Sequence, residues 1–145
     1  MIEIKFKKTH PDAVLPSANN PEWGTGDTGY DLTSVEETVV PAKGSVVVPV
    51  GLSLAYLSKG YWFRIEARSG LGFKHSIQPH LGVIDNGYRG DLGVKLYNFG
   101  DTDYSVSKGE RIAQIVLYEL LQPEVEFTDE QYESTRGEAG FGSSG

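Results

Sequence analysis

The stretch SVVVPVGLSLAYLSKGYWFRIE, residues 45–66, decides the fold of this chain. Residues 45–50, 52–55 and 61–66 are runs rich in β-branched and aromatic side chains, which are typical of β-strands. The sequence Ser-Lys-Gly at residues 58–60 indicates a turn between the last two runs. The last run switches between apolar and polar positions at its end, as a half-buried strand does. The stretch therefore predicts short strands joined by tight turns.

Similar runs continue on both sides of this stretch. They occupy residues 2–6, 39–40, 82–85, 92–98, 104–106 and 111–119, and turn sequences lie at residues 41–44, 99–101 and 107–109. Only residues 69–75 leave room for a short helical turn. This spacing predicts an all-β fold, a compact jelly-roll-like sandwich or distorted barrel.

Composition limits the function classes. The chain has 145 residues, 39% of them apolar, enough for one domain with a real core. It contains no cysteine, which excludes disulfides, thiolate zinc sites and a cysteine nucleophile. The net charge of −7 argues against general nucleic-acid binding but leaves room for a small polyphosphate ligand held by a few arginines and backbone N–H groups.

The termini and loops suggest the chain's organisation. Met1 runs directly into a strand pattern, and the longest apolar stretch, residues 46–57, is too short to span a bilayer, so we expect a cytoplasmic protein. A nuclear or virus-encoded protein would have the same features. Residues 17–28 form a polar loop without an evident role. We expect a β domain at residues 1–127 and a polar, Gly-rich C-terminal arm at residues 128–145 that is flexible alone and orders over a ligand.

Five short motifs follow one another along the chain. They are GYDL at residues 29–32, RSGL at 68–71, GVIDNGYRG at 82–90, GERIAQ at 109–114 and RGEAGFGSSG at 136–145. In order and spacing they resemble the five motifs of the trimeric dUTP pyrophosphatase (dUTPase) family. One such motif would be weak evidence, but five motifs in order, spanning residues 29–145, make a chance resemblance very improbable.

In this family the third motif contains the residues that bind the nucleoside and the residue that acts as general base. The resemblance implies that Asp85 holds the attacking water as general base, although Asp85 taken without its motif would more often be a turn-capping residue. Tyr88 would lie against the deoxyribose and leave no space for a 2′-hydroxyl. The resemblance further implies that a narrow hairpin reads the uracil edge through its backbone, at Gly82, Val83, Ile84 and Gly93.

The other motifs imply a phosphate site. Arg68, Ser69, Gly70 and Gln114 would bind the phosphates near the scissile bond. Arg136, Ser143 and Ser144 of the arm would bind the β and γ phosphates, while Phe141 and Gly142 would cover the uracil. Asp31 would organise the site through an arginine or water, and Arg111 is more typical of a structural salt bridge. Without the motif, this terminus would read as a disordered Gly/Ser tail.

The resemblance implies an enzyme that hydrolyses dUTP to dUMP and pyrophosphate as a homotrimer with shared active sites. Mg²⁺ would be held mainly by the substrate phosphates and water, with no protein metal ligands, and neither nucleic acid nor a membrane is an expected partner. Two alternatives stay open: a dCTP deaminase-like relative, or a nucleotide-dependent interaction protein without catalysis. Ala139 departs from the family's usual Gly, which is expected to slow or weaken closure of the arm.

Overall fold

The structure, a computed structural model, describes residues 1–142 and consists almost entirely of antiparallel β-strands. In chain order the elements are β1 (Ile4–Lys8), β2 (Tyr30–Thr33), β3 (Thr38–Val40), β4 (Ser45–Leu57), β5 (Tyr61–Glu66), α1 (Ser69–His75), β6 (Ile77–Pro79), β7 (Gly82–Ile84), β8 (Asp91–Asn98), β9 (Tyr104–Val106) and β10 (Arg111–Glu119). The predicted all-β class is confirmed, and the short helix lies where the sequence left room for it.

Two four-stranded sheets enclose the core. One has the order β1-β4-β8-β6 and the other β2-β10-β5-β7, while β3 and β9 form a separate pair. On β8, Leu92, Val94 and Leu96 are buried and the residues between them are exposed. They pack in one cluster with Phe63 and Ile115 of the second sheet. Burying each such side chain stabilises the fold by about 1.5–3 kcal/mol, which explains why this alternation sets the register.

The long strand β4 is continuous, whereas the sequence predicted two strands at residues 45–50 and 52–55. Its first half pairs with β8 and its second half mainly with β1, with an irregular register between Pro49 and Ser53. At Gly51 the backbone has φ +68°, and a Cβ there would come 2.7 Å from the Cβ of His10. Glycine at this position lets β4 bend and change partners without ending.

Strands β2 and β6 were not among the predicted strands. In β2 the side chains of Asp31 and Thr33 are buried although they are polar, so the strand lacks an apolar alternation. Strand β6 contains Pro79 and lies at the edge of its sheet, where a missing N–H is tolerated. Both strands are held by their neighbours more than by their own propensities.

Beyond β10, residues 120–142 contain neither helix nor strand. Most of their side chains are exposed, including Leu121, Val125 and Phe127. Within residues 1–142, no helix combines the length and the apolar character that crossing a membrane requires.

Candidate active site

A polar cavity of about 890 Å³ opens beside the second sheet, at the ends of β2, β10 and β5. Strand pairing creates it, because Gln114 on β10 lies opposite Asp31 on one side and Glu66 on the other. The chain then turns from β5 into α1, which brings Arg68 and Ser69 to the same opening. Motifs far apart in sequence thus meet here, and we call this space the polar cavity.

Gln114 is held in place by the first and second motifs. Its Nε2 donates a hydrogen bond of 2.8 Å to the carbonyl of Ala67. A Cβ on Gly29 would lie 1.8 Å from Oε1 of Gln114, so any side chain at that position would displace the amide. Glycine in the first motif therefore leaves room for the Gln114 amide in its present position, while its backbone does not adopt a positive φ.

A chain of charged contacts crosses the floor of the polar cavity. The Asp31 carboxylate, which is buried, accepts a 2.9 Å bond from Nε of Arg68 and lies 3.5 Å from Nη1 of Arg111. Arg111 also donates to Oδ1 of Asn19, and Arg68 donates to the Arg111 carbonyl at 3.4 Å. The chain fixes Arg68 near Ser69 while leaving part of its guanidinium open to the cavity.

The loop at residues 17–28 forms one wall of the polar cavity, with Asn19, Gly26 and Asp27 among its lining residues. The loop folds back on itself through a 2.7 Å bond from the Asp27 N–H to the Asn20 carbonyl. A Cβ at Gly26 would come 2.2 Å from the same carbonyl oxygen. At the tip, Trp23 is 96% exposed. The sequence showed this loop as polar and Gly-rich, but not which cavity it borders.

A second cavity, of about 290 Å³, lies between β7 and β8, which the sequence predicted as a hairpin but which pair with strands of different sheets. Val83, Ile84 and Asp85 line one side, Leu92 and Gly93 line the other, and Tyr88 lies between them. Strand β7 pairs with β5, and Asp85 follows directly after its last residue. We call this space the hairpin cavity. Its walls are largely backbone and apolar side chains, which suit a flat, weakly polar ligand group.

Tyr88 is oriented by a local turn. The Tyr88 N–H donates to the Asp85 carbonyl at 3.0 Å, and its hydroxyl donates to the Asp91 carbonyl at 3.1 Å. A Cβ on Gly90 would lie 2.3 Å from the Tyr88 hydroxyl, so the ring needs glycine there. On the far side, Thr9 donates to the Asp91 carboxylate at 2.7 Å. The sequence missed Asp91, because its contact with Thr9 joins residues 82 positions apart.

The two cavities have no lining residue in common. Glu66 borders the polar cavity and the preceding residue, Ile65, borders the hairpin cavity. Successive residues of a strand point to opposite faces, so the two cavities open on different sides of β5. Most phosphate-site candidates therefore lie in one cavity and most nucleoside-site candidates in the other.

Several predicted site residues lie outside both cavities. Gly82 belongs to β7 but lines neither cavity, and the same holds for Arg136, Phe141 and Gly142. Arg136 donates to the Ala139 carbonyl, and Phe141 is fully exposed. Within residues 136–142, positive φ angles fall on Gly137, Phe141 and Gly142 and not on Ala139. Ser143 and Ser144 lie outside the described residues.

Carboxylates border both cavities without forming a dense cluster. Among residues 1–142, no three His, Asp or Glu side chains come together in an arrangement that could hold a metal ion.

In the fourth motif, Glu110 accepts a 2.5 Å bond from the Tyr104 hydroxyl. Burial, reinforced by this bond and by the negative charge of Glu110, raises the pKa of Tyr104 to about 12.

The fold and its paired cavities define an all-β protein whose candidate ligand site is divided between two places on one chain. The family model for dUTPase matches residues 18–145, which is most of the sequence. The chain belongs to the dUTPase family. The resemblance of its five motifs to that family is therefore confirmed.

Individual relatives agree with this assignment. The deoxyuridine 5′-triphosphate nucleotidohydrolase of Oryza sativa subsp. japonica is 46% identical over 142 residues, covering 98% of this chain and 80% of that protein. The protein of the same name from Paramecium bursaria Chlorella virus 1 is 44% identical, covering 91% of this chain and 94% of its own length. A solved structure of the Staphylococcus bacteriophage 80alpha dUTPase with dUpNHpp has a TM-score of 0.84 and 29% identity, covering 99% of this chain and 98% of that one.

Proposed function

We propose that this protein hydrolyses dUTP to dUMP and pyrophosphate, through attack of an Asp85-activated water on the α-phosphorus. The observation that carries the proposal is the division of the family motifs between two cavities, one polar and one between β7 and β8. Water supplies one oxygen to dUMP, and the bond from the α-phosphorus to the bridging oxygen breaks to release pyrophosphate. Such an activity limits uracil in DNA and supplies dUMP for thymidylate synthesis.

The hairpin cavity is the proposed nucleoside site. Backbone groups of residues 82–85 and of Gly93 would pair with the uracil edge, and Tyr88 would pack against the deoxyribose. The ring is suited to exclude a 2′-hydroxyl because its own hydroxyl is tied to the Asp91 carbonyl, which limits its retreat. Asp85, at the end of β7 and exposed, is placed at the mouth of this cavity where a water can reach it.

The polar cavity is the proposed phosphate site. Arg68, Ser69, Gly70 and Gln114 border it and offer a guanidinium, a hydroxyl, a backbone N–H and an amide. These are donors that stabilise a charged phosphoryl group during transfer. Asp31 would keep Arg68 in the required orientation through their 2.9 Å bond.

The two cavities support a homotrimer with shared sites, because they open on different sides of β5 in one chain. In that arrangement, the hairpin cavity of one subunit faces the polar cavity of its neighbour. The segment at residues 128–145 would act as an arm that closes over the assembled site. Arg136, Ser143 and Ser144 would then bind the β and γ phosphates, and Phe141 and Gly142 would cover the base.

Magnesium fits the chemistry of the polar cavity. Asp27, Asp31 and Glu66 all border it, and carboxylate oxygen is the donor class that Mg²⁺ prefers. The ion would be held mainly by the three phosphates and by water, whose outer hydrogen bonds these carboxylates can accept. When bound, the ion offsets negative charge on the phosphates.

The first experiment measures pyrophosphate release from dUTP, dTTP, dCTP and UTP with Mg²⁺, together with ammonia release from dCTP. Rapid release from dUTP alone supports the proposal. Ammonia from dCTP would instead indicate the deaminase chemistry, and no turnover of any nucleotide would indicate a binding protein.

A mixing experiment tests the shared site directly. Arg68→Ala and Asp85→Asn subunits are each expected to be inactive, but a site in a mixed trimer can combine an intact Asp85 with an intact Arg68 from its neighbour. Random mixing of equal amounts should restore about a quarter of the sites. If both residues acted within one chain, mixing would restore nothing. Arg68→Ala mixed with an Arg68→Ala, Asp85→Asn double variant is the matched control and should stay inactive.

A further inference from the structure

Asn86, the residue after Asp85, anchors the turn of the third motif to a different part of the fold. Its Nδ2 lies 2.9 Å from the carbonyl oxygens of Ser58 and Tyr61 and 3.3 Å from that of Leu57. An amide nitrogen carries two hydrogens, so the two shorter contacts use its full donor capacity. The residue is half-buried, which shields these bonds from competing water.

The turn that receives Asn86 is itself fixed. Residues 58–60 join β4 to β5, and Ser58 exchanges two hydrogen bonds with the backbone of Glu3, at 2.8 and 3.0 Å. The Gly60 carbonyl accepts a further 2.7 Å bond from the N–H of Leu120. Asn86 is therefore tied to a turn that is held by the residue before β1 and the residue after β10.

The position of Asp85 depends on this backbone. Within residues 1–142, no described hydrogen bond reaches the Asp85 carboxylate, which is exposed, so the backbone of residues 85–88 sets where this side chain is attached and which space its carboxylate can reach. That backbone is closed by the Tyr88 N–H on the Asp85 carbonyl at 3.0 Å, and Arg89 donates to the Asn86 carbonyl at 2.8 Å. Asn86 is the only side chain of this turn, among the described residues, that reaches the β4–β5 turn.

We propose that Asn86 is a positioning residue for the reaction: it holds the turn that aims the Asp85 carboxylate at the attacking water. The inference rests on the proposed function of Asp85 and extends it to a residue that lines neither cavity. Because a small misplacement of a reacting group lowers the rate of the chemical step, loss of the anchor reduces kcat more than binding.

The test compares Asn86→Ala and Asn86→Asp with the unchanged protein. Both should lower kcat for dUTP by about 10- to 100-fold, while the affinity for dUMP changes by less than about twofold. Asn86→Asp keeps the shape but places an oxygen against three carbonyl oxygens, so its loss should equal or exceed that of Asn86→Ala. Unchanged kcat in both variants, or a loss carried by nucleotide affinity, would overturn the proposal.

Ser58→Ala is the matched control. It removes the side-chain bond between the β4–β5 turn and Glu3, yet leaves the three carbonyls that bind Asn86. It should lower thermal stability with little change in kcat. If Ser58→Ala reduced kcat as much as the Asn86 variants do, general loosening of the turn would explain the loss and the anchoring role would be wrong.

A readout without catalysis separates this inference from the proposed function. Nuclear magnetic resonance should show slow hydrogen exchange for the Asn86 side-chain amide. In Asn86→Ala, the backbone amide signals of residues 85–88 should shift. If the unchanged protein released no pyrophosphate from dUTP, these signals would still decide whether the anchor exists. Fast exchange with unshifted signals would overturn it.

Discussion

The polar cavity and the hairpin cavity differ in how their residues are held. In the polar cavity, long side chains are fixed by each other, as in the contacts of Asp31 with Arg68 and Arg111. In the hairpin cavity, the backbone sets the geometry, through the pairing of β7 with β5 and the turn that follows Asp85. Loss of one charged contact weakens the position of one side chain, and salt screens such contacts. Displacement of a backbone turn, in contrast, moves every group on that turn.

Because of this difference, substitutions in the two cavities should affect substrate binding and the chemical step separately. In the polar cavity, loss of Arg68 itself should abolish activity, whereas changes to the residues that hold Arg68 should weaken phosphate binding by moderate steps. Changes in the hairpin cavity should alter either the reacting group or the choice of sugar.

The largest effect is expected for Asp85→Asn, which removes the proposed base and leaves the hairpin cavity intact. Loss of a general base should lower kcat about 10²- to 10⁴-fold. Single-turnover hydrolysis measures the step, and a dUMP titration should show nearly unchanged affinity. Turnover close to that of the unchanged protein would rule out the general-base role of Asp85.

Tyr88→Ala should have the next largest effect, on the choice of sugar. Without the ring, the preference for dUTP over UTP in kcat/KM should fall at least about tenfold, because a steric barrier to the 2′-hydroxyl is gone. Tyr88→Phe keeps the ring but loses the bond to the Asp91 carbonyl, so it should retain most of the preference. Equal losses in the two variants would mean that the hydroxyl, and not the ring, selects the sugar.

Asp31→Asn should have a moderate effect that is confined to the polar cavity. Removing its charge loosens Arg68, and KM for dUTP should rise about tenfold, equivalent to ~1.4 kcal/mol. Binding of dUMP, which lacks the two terminal phosphates, should change less. Glu22→Gln removes an exposed carboxylate of the loop beside the same cavity that does not line it and has no described ion pair, so it serves as control. Equal effects from both would show that net charge, and not the Arg68 contact, is responsible.

The fold was largely predictable because most strands carry their own signal. The β-branched and aromatic runs of β8 and β10 and the turns around them identified an all-β chain. The sequence did not predict strand β2, because the burial of Asp31 depends on ion pairs with two arginines from other parts of the fold. The continuity of β4 depends on the positive φ of Gly51, and the need for glycine there follows from the packing of His10 against it, which the sequence does not show.

The site was predictable in its motif residues but not in their connections. The motifs identified Arg68 and Gln114, whereas the neighbours Glu66 and Tyr118 follow from the register of β10 with β5. Strand patterns in the sequence are identified one strand at a time, so they do not show which residues of two strands lie opposite each other. The roles of individual site residues and of the C-terminal arm stay predictions, to be decided by the experiments above.

The smallest effect on activity is expected for Tyr104→Phe, a reference outside both cavities. The hydroxyl of Tyr104 donates to Glu110, and its ring lies 4.9 Å from that of His75. The pKa of Tyr104 is raised from 10 to about 12, so the folded state favours the neutral hydroxyl. Its contribution is present in full below pH 10 and is lost as the pH rises to 12, because the unfolded chain ionises first.

Tyr104→Phe should therefore lower the free energy of unfolding by about 1 kcal/mol at pH 8, a value reduced for the partial exposure of the pair. The difference between the variant and the unchanged protein should shrink between pH 10 and 12, measured by urea unfolding. Taking the difference cancels the titration of the other tyrosines and of the lysines. Meanwhile kcat and KM at pH 8 should stay within about twofold, since Tyr104 lines neither cavity. A large loss of activity would show that the β9–β10 turn, which precedes Arg111, transmits its geometry to the polar cavity, and the two regions would then be coupled.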